Sequence, residues 1–361
     1  MAEGKSLGYT VAKLPMLLAA PAARAAGGLA QRGRNRRRLK RARVLVPPIV
    51  SRIARQDPAA TGWQLVKVMP TVTPVIVVSV GDRSRPAAFL KIPESSEALA
   101  QLAQTDLLIA LVRQSVGDPA WQRLMPEPIM KSDEQFDGAF FAHKAIHGME
   151  ARAVASRRYN ADALLRNAAL TINVLHQHTR EEVVIVEEHV DAWFAPLVDL
   201  IAVHGSALEA EQLSALQARI RTKMVGREIG LSTIHGDYHL GNVLVDFDGS
   251  VTGLIDWDHS TTGWPSGIDM ATLTFWHQRD TTGAELGDLI SAAMRDDRPR
   301  LFDESLALSE PQAIGDEQFY RAVIELWWVR MISKQLIGAP EFGDKRLWWR
   351  RNVAQVLGAQ R

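Results

Sequence analysis

The pattern of apolar and polar residues changes near residue 60, where short apolar runs begin to follow one another at close intervals. The runs "WQLVKVMP", "TPVIVVSV" and "PAAFLKIP" are rich in β-branched and aromatic residues, which is typical of strands. The connections "MPTVTP" and "GDRSRP" are short enough for consecutive strands to pair directly. This part of the chain therefore predicts a three-stranded antiparallel meander.

A helix and two more strands are predicted after the meander. The stretch "SSEALAQLAQTDLLIALVRQ" has apolar residues at helical spacing, and Ser95 or Ser96 can cap its start. The runs "PEPIMKS" and "GAFFAHKAI" again have strand composition. Residues 59–144 are therefore predicted to form a small lobe of three strands, one helix and two strands.

The rest of the chain, residues 145–361, has mainly helical periodicity. In "DALLRNAALTINVLHQH" the apolar residues form one stripe, as in an amphipathic helix. The stretch "STIHGDYHLGNVLVDFDGSVTGLIDWDHS" interrupts this pattern with strand-like runs around polar turns. We therefore predict an α+β protein with a small antiparallel-sheet lobe, followed by a mainly helical lobe.

The composition excludes several kinds of chemistry. The 361 residues are 47% hydrophobic and 23% charged, as in globular proteins, and the length suits two domains or one large bilobal domain. The chain contains no cysteine, which excludes disulfides, thiolate metal sites and cysteine nucleophiles. This composition fits a reducing compartment, so we expect a cytoplasmic protein.

Positive charge is concentrated in the first residues, and 1–58 is predicted to be a basic extension rich in Ala, Gly and Arg. In "RGRNRRRLKRAR", residues 32–43, 8 of 12 residues are Lys or Arg. A solvated tail is the simplest interpretation; the alternative is peripheral contact of residues 14–43 with an anionic membrane. Nucleic acid is not expected as a partner, because no aromatic residue alternates with the arginines.

The segment "NVLVDFDGSVTGLIDWD" predicts a tight hairpin with a two-residue turn at Asp248-Gly249. If the hairpin is centred there, Asn242 lies across from Ile255 and therefore next to Asp256. Facing strands are about 5 Å apart, so an amide oxygen and a carboxylate meet at one end of the hairpin. Both are hard oxygen donors of the kind that Mg²⁺ prefers.

Two further residues have the chemistry that phosphoryl transfer requires. Asp237 lies on the loop that leads into the hairpin, where a carboxylate can orient a hydroxyl and accept its proton. Lys91 ends an apolar strand, which fixes its stem and leaves its ammonium group for phosphate. Each residue alone is more often structural, but the set in this order is not expected by chance.

His235 belongs to the same polar segment and is counted among the candidate catalytic residues. Its neighbours, Ile234 and Gly236, favour a buried residue that braces the loop over a base. A metal cluster of His235 and His239 is not expected, since no further residue has ligand spacing.

The motif "HGDYHLGN" followed by "LIDWD" resembles the catalytic and metal loops of the aminoglycoside phosphotransferase and choline kinase family, relatives of the protein kinases. The resemblance extends over about residues 60–340. It implies a bilobal protein-kinase-like fold that binds ATP, or GTP, with Mg²⁺. It also implies that Asp237 is the base, that Asn242 and Asp256 bind the metal, and that Lys91 holds the α- and β-phosphates.

The resemblance implies roles for three further features. Asp269 in "GIDMATL" would brace the catalytic loop, and "FFAHKAIHG" would be the hinge that holds the adenine. The loop "MPTVTP" has no glycine, unlike the corresponding loop of protein kinases, so Thr71 or Thr73 is expected to contact the phosphates. Either Glu97 or Asp106 would pair with Lys91, and both alternatives remain open.

The acceptor is predicted to be a small hydroxyl compound, such as an amino sugar or aminoglycoside, a sugar or an amino-alcohol. Residues 296–317 and "EEVVIVEEHVD" are acidic, and a negative rim would attract a cationic acceptor. The simpler interpretation of these stretches is solvated helix surface. Two other functions are kept as alternatives: a scaffold without turnover, and a membrane-surface kinase acting on a lipid-linked or envelope glycan. The oligomeric state is left open.

Overall fold

The computed structural model of the chain describes residues 21–71, 73–82, 85–132, 138–155, 160–295, 300–310 and 315–358. The chain divides into two compact units. The first comprises Met1–Leu99 and Glu127–Glu150, and the second comprises Ala100–Pro126 and Ala151–Arg361.

The first unit contains an antiparallel sheet in the order β1-β2-β3-β5-β4. The strands are β1 (Gln64–Met69), β2 (Val75–Gly81), β3 (Pro86–Pro93), β4 (Pro128–Ser132) and β5 (Phe140–Lys144). Helix α2 (Ser96–Val116) lies between β3 and β4 in the sequence, and the division between the units falls within it. The predicted order of three strands, a helix and two strands is found, with a second short helix before β4, but residues 100–126 of the predicted lobe belong to the second unit.

Helix α1 (Pro21–Gln56) belongs to the first unit, which changes the interpretation of the basic extension. Its apolar residues Ala42, Val46, Ile49, Val50 and Ile53 are buried in the same core as Ile76, Val78 and Leu90 of the sheet. The prediction that residues 1–58 lie outside the lobes is therefore wrong for the end of this helix. The many arginines of α1 hide its apolar face in the sequence pattern. Residues 14–20 of the predicted membrane segment lie outside the described residues.

The second unit is mainly helical, as predicted. Its helices after α2 are α3 (Pro119–Gln122), α4 (Ala151–Ala155), α5 (Ala161–His178), α6 (Glu187–His204), α7 (Ala207–Met224), α8 (Gly267–Thr282), α9 (Leu286–Ala293), α10 (Arg300–Ser309), α11 (Glu317–Gly338), α12 (Arg346–Trp349) and α13 (Gln355–Gly358). The predicted apolar stripe of α5 is buried along its length. Trp327 and Trp328 of α11 are also buried, which places α11 in the centre of the core. No helix among the described residues is long and apolar enough to cross a membrane.

Short strands also occur around the polar segment of the second unit. The first unit ends with β6 (Met149–Glu150), and the strands of the second unit are β7 (Glu181–Val184), β8 (Glu228–Ile234), β9 (Val243–Val245), β10 (Val251–Leu254) and β11 (Thr261–Pro265). Strand β8 pairs with β7 and β11, and β9 pairs with β10. Since β8 ends at Ile234, the segment that begins at His235 follows directly after a mostly buried strand.

Candidate active site

The predicted hairpin has the predicted register but a longer turn. Strands β9 and β10 pair Val243 with Leu254, and the Ile255 amide donates to the Asn242 carbonyl at 3.0 Å. The prediction of a two-residue turn is wrong, because residues 246–250 form the connection and an irregularity follows Val251. After the irregularity, Leu254 pairs with Val243, which is the predicted register. Asp256 therefore lies beside Asn242, as expected.

Asp269 holds the start of the predicted catalytic segment, residues 235–242. Its carboxylate accepts the backbone N–H of His235 at 2.7 Å and that of Gly236 at 2.9 Å. It also contacts His176 Nε2 at 3.1 Å, and both side chains are fully buried. A charged hydrogen-bond acceptor is thus satisfied by three donors, which is how a buried carboxylate is tolerated. The geometry agrees with the bracing role expected of Asp269.

Gly236 has a backbone conformation and a close contact that both require glycine. Its φ is +72°, and a Cβ added there would lie 2.1 Å from the carbonyl oxygen of His259. The left-handed conformation disfavours other residues, and the contact leaves no room for a side chain. Gly236 therefore allows the backbone that carries Asp237 to pass against the loop that contains His259.

His235 lies where it can brace the metal loop. Its Nε2 is 3.0 Å from the Ile255 carbonyl oxygen, its ring contacts Trp257, and its side chain is fully buried. Burial lowers its pKa, so the neutral ring donates from Nε2 to that carbonyl. These contacts support the interpretation of His235 as a brace over that of a base.

Asp237 is ionised and held by several neighbours. Lys334 Nζ forms an ion pair with Oδ1, and His239 Nε2 lies 3.7 Å from the same oxygen. Asn242 Nδ2 donates to the backbone carbonyl of Asp237 at 2.9 Å and lies 3.4 Å from its Oδ2. Burial alone would raise the pKa of Asp237, but Lys334 and then His239 outweigh it and hold that pKa well below the ordinary value.

Asn242 and Asp256 fit a hard divalent cation. The Asn242 amide nitrogen donates to Asp237, so its oxygen is the atom that remains for a ligand. Asp256 has φ +68°, an unusual conformation for a residue other than glycine that costs about 1–2 kcal/mol. Such strain is concentrated at functional positions. No group of three or more His, Cys, Asp or Glu side chains among the described residues could hold a metal. The predicted donors, the Asn242 amide oxygen and the Asp256 carboxylate, are of the kind that Mg²⁺ accepts.

Three residues of this site were not identified from the sequence: Lys334, Arg330 and His259. Arg330 donates to the His259 carbonyl at 2.7 Å. Burial, followed by Lys334, lowers the pKa of His259 to about 4, so its ring is neutral near pH 7. A signal for Lys334 and Arg330 does exist, since they are two cations four residues apart in the mainly apolar second half of helix α11.

The remaining predicted residues lie in the first unit, except Asp106, which lies in the part of α2 that belongs to the second unit. Lys91 of β3 is half-buried and stands between Val77 of β2 and Phe141 of β5. Glu97 lies in the first turn of α2, where its carboxylate accepts the Ser96 hydroxyl at 3.2 Å. Its pairing with Lys91, or that of Asp106, stays a prediction.

Thr71 and Thr73 are held by α1. Arg38, which is only 7% exposed, donates to the Thr71 and Thr73 carbonyls. The Thr71 hydroxyl accepts from Arg38 at 2.7 Å and lies 2.7 Å from the Val75 carbonyl, to which it donates. Since a hydroxyl has one proton, Thr71 would have to leave Val75 to donate to a phosphate. The predicted phosphate contacts of Thr71 and Thr73 stay predictions.

The antiparallel sheet of the first unit, the helical second unit and the Asp237 segment define a phosphotransferase with a protein-kinase-like fold. Residues 74–303 match the model of the phosphotransferase enzyme family, and the chain belongs to that family. The predicted family, fold and enzyme class are therefore confirmed. No curated protein matches the chain significantly.

Solved structures share the fold at low sequence identity. The ADP-bound aminoglycoside phosphotransferase APH(2'')-Ib has 14% identity and a TM-score of 0.56, with 87% of this chain and 97% of that chain covered. The GDP complex of aminoglycoside 2'-phosphotransferase-IIIa has 14% identity and a TM-score of 0.54, with 85% and 95% covered. The macrolide 2'-phosphotransferase MphH from Brachybacterium faecium has 14% identity and a TM-score of 0.51, with 86% and 97% covered.

Proposed function

We propose that the protein transfers the γ-phosphoryl group of ATP or GTP to a hydroxyl group of a small molecule. One observation carries the proposal: an ionised, partly exposed Asp237 lies against Asn242. The backbone hydrogen bond between Ile255 and Asn242 brings Asp256 to the same end of the hairpin. A base for a hydroxyl and oxygen donors for a metal are what phosphoryl transfer requires of the protein.

In the proposed reaction, Asp237 orients the acceptor hydroxyl and accepts its proton at Oδ2, since Oδ1 is engaged by Lys334. The low pKa of Asp237 suits a carboxylate that orients the nucleophile and takes the proton late in a loose transition state. Asp269 and His235 fix the backbone on which Asp237 and Asp256 are carried. Mg²⁺, held by Asn242 and Asp256, would neutralise charge on the phosphates.

The nucleotide is proposed to be bound with the help of Lys91, which would hold the α- and β-phosphates. ATP and GTP are both retained, because the relatives of similar fold include an ADP-bound and a GDP-bound enzyme. The acceptors proposed are sugars, amino sugars, amino-alcohols and related hydroxyl compounds. The proteins of similar fold include aminoglycoside and macrolide phosphotransferases, which supports a small-molecule acceptor.

The proposal is tested by two measurements on the full chain. Isothermal titration should show Mg-ATP or Mg-GTP binding that EDTA abolishes. A nucleotide-consumption screen against sugars, amino-alcohols, hydroxy acids and aminoglycosides should give at least one acceptor. Absence of nucleotide binding and of turnover would favour a scaffold instead.

A further inference from the structure

The carboxylate proposed to meet the acceptor already has a cation beside it. Lys334 on α11 forms an ion pair with Asp237 Oδ1, and the two side chains are 18% and 17% exposed. The pair is therefore open enough for a ligand to reach it. An incoming acceptor hydroxyl at Oδ2 would lie within a few ångströms of the Lys334 ammonium group.

We propose that Lys334 positions Asp237 and excludes acceptors that carry an ammonium group beside the reacting hydroxyl, so the acceptor is uncharged or anionic there. This inference rests on the proposed role of Asp237 as the residue that receives the acceptor. It makes Lys334 a specificity-determining residue.

Two further carboxylates in this part of the second unit, Asp280 and Asp269, already have partners. Arg152 of α4 lies within electrostatic range of His239, and its guanidinium is 3.8 Å from Asp280. The Asp269 carboxylate is occupied by His176 and two backbone N–H groups. Neither Asp280 nor Asp269 is thus a ready partner for the ammonium groups of a polycation.

Six of the ten described acids in the two acidic stretches that suggested a cationic acceptor form ion pairs with arginines. The ion pairs are Glu182 with Arg180, Asp191 with Arg221, Glu304 with Arg166, Glu310 with Arg180, Asp316 with Arg227, and Glu317 with Arg321. Asp296 and Asp297 lie outside the described residues. Since opposite charges at contact cancel at longer range, these six acids contribute little to the negative rim that the sequence suggested.

The test is isothermal titration of gentamicin, a polycation, into the full-length wild type and three variants. Lys334→Met removes the charge, and Lys334→Arg keeps it. Lys345→Met removes a lysine charge at an exposed position over the Phe342 ring. We expect Lys334→Met to bind gentamicin at least about tenfold more tightly than the wild type, because a like charge is removed and Asp237 becomes available. The other two variants should match the wild type.

The outcomes separate this inference from the proposed function. Equal gentamicin binding by the wild type and Lys334→Met, including no binding by either, would overturn the role of Lys334. So would a wild type that uses gentamicin as an acceptor better than uncharged sugars. If Lys334→Met proves unstable in a melting experiment, Lys334→Gln provides the same comparison. A wild type that binds no Mg-nucleotide would overturn the proposed function and this inference together.

A second inference comes from the first unit, where α1 reaches the loop between β1 and β2. The Arg38 guanidinium donates to the Thr71 carbonyl at 2.7 Å, to the Thr73 carbonyl at 2.5 Å and to Glu94 Oε2 at 2.6 and 2.8 Å. Arg38 thus joins α1 to the start of β2 and to the residue that follows β3. A planar guanidinium fork suits such a set of acceptors, whereas an ammonium group does not.

We infer that Arg38 is a positioning residue for nucleotide binding, which fixes a glycine-free loop in place of a glycine-rich one. The inference rests on the proposed nucleotide site. The loop has no glycine in "MPTVTP", and its carbonyls at 71 and 73 would otherwise need other partners. Within the basic run, Arg38 is therefore a buried structural residue, whereas several of the other arginines are exposed.

Calorimetric titration of Mg-ATP into Arg38→Lys tests this, with Arg37→Lys as the matched control because Arg37 is exposed on the same helix. We expect the Kd for Mg-ATP to rise about tenfold in Arg38→Lys and to stay unchanged in Arg37→Lys. If Arg38→Lys melts too low to be measured, Glu94→Gln should weaken nucleotide binding in the same direction. An unchanged Kd in a folded Arg38→Lys or Glu94→Gln protein would overturn the inference. A wild type that binds no nucleotide would overturn the proposed function as well.

Discussion

The carbonyl oxygen of Asn242 accepts the amide hydrogen of Ile255 at 3.0 Å, and this one bond sets the distance between the two proposed metal ligands. It extends the pairing of Val243 with Leu254 by one residue on each strand. Asp256 follows with φ +68°, so its backbone is no longer extended and its side chain does not continue the alternation of the strand. The proposed metal site therefore depends on the hairpin, and a change that loosens the hairpin would act on both proposed ligands.

Asp237→Asn should abolish most turnover and leave nucleotide binding nearly unchanged. The substitution keeps the shape of the side chain and the Asn242 bond to the backbone carbonyl, but removes the acceptor of the proton and the partner of Lys334. We expect kcat to fall about 10²–10⁴-fold, as when a general base is removed. Steady-state kinetics and titration of Mg-ATP measure the two effects. Asp248→Asn, at the exposed turn of the hairpin, is the control. Unaltered turnover in Asp237→Asn would rule out Asp237 as the base.

The local parts of this site could be predicted from the sequence, whereas the contacts between distant segments could not. The register that places Asn242 across from Ile255 is predicted from strand composition and a turn dipeptide, and it is kept because the irregularity after Val251 offsets the longer turn. Lys334 comes to Asp237 from a helix late in the chain, and only the packing of α11 determines that approach. Arg38 is similar: the arginines around it obscured the apolar face that buries it. The turn length was wrong because Asp246 accepts backbone N–H groups and stabilises a wider connection.

Asp256→Ala and Asp256→Gly should both weaken Mg-ATP binding but differ in stability. Both remove the carboxylate proposed to hold the metal, so titration of Mg-ATP should show a much larger Kd for each. Glycine adopts φ +68° without strain and alanine does not, so Asp256→Gly should be more stable than Asp256→Ala by about 1 kcal/mol. Chemical denaturation measures this difference. Mg-ATP affinity equal to that of the wild type in both variants would exclude Asp256 as a ligand.

Gly236→Ala should be far more destabilising than Gly226→Ala, although both glycines have positive φ. The φ values are +72° and +82°, so the conformational cost of alanine is similar, about 1 kcal/mol. A Cβ at Gly226 meets no atom within 4 Å, but a Cβ at Gly236 would lie 2.1 Å from the His259 carbonyl oxygen. We expect Gly236→Ala to lower the free energy of unfolding by about 3 kcal/mol or more, since backbone must move. Equal losses in the two variants, measured by urea denaturation, would show that the catalytic segment is not held against His259.

The stability that Asp269 confers should depend on pH in a direction that its contacts determine. Burial alone would raise the pKa of Asp269, but the hydrogen bond and charge of His176, with the N–H of His235, hold that pKa below its ordinary value. A carboxyl group with a lowered pKa stabilises the fold above its unfolded-state pKa, about 4, and loses this contribution as the pH falls through the folded-state value. Wild type should therefore exceed Asp269→Asn in free energy of unfolding by about 3 kcal/mol at pH 7, and the difference should shrink below about pH 4.

Exposed Asp199 of α6 provides the control, since Asp199→Asn should change little at any pH. Urea denaturation of the three proteins between pH 7 and pH 3 measures both curves, and a constant difference for Asp269→Asn would mean that its charge does not hold the catalytic segment.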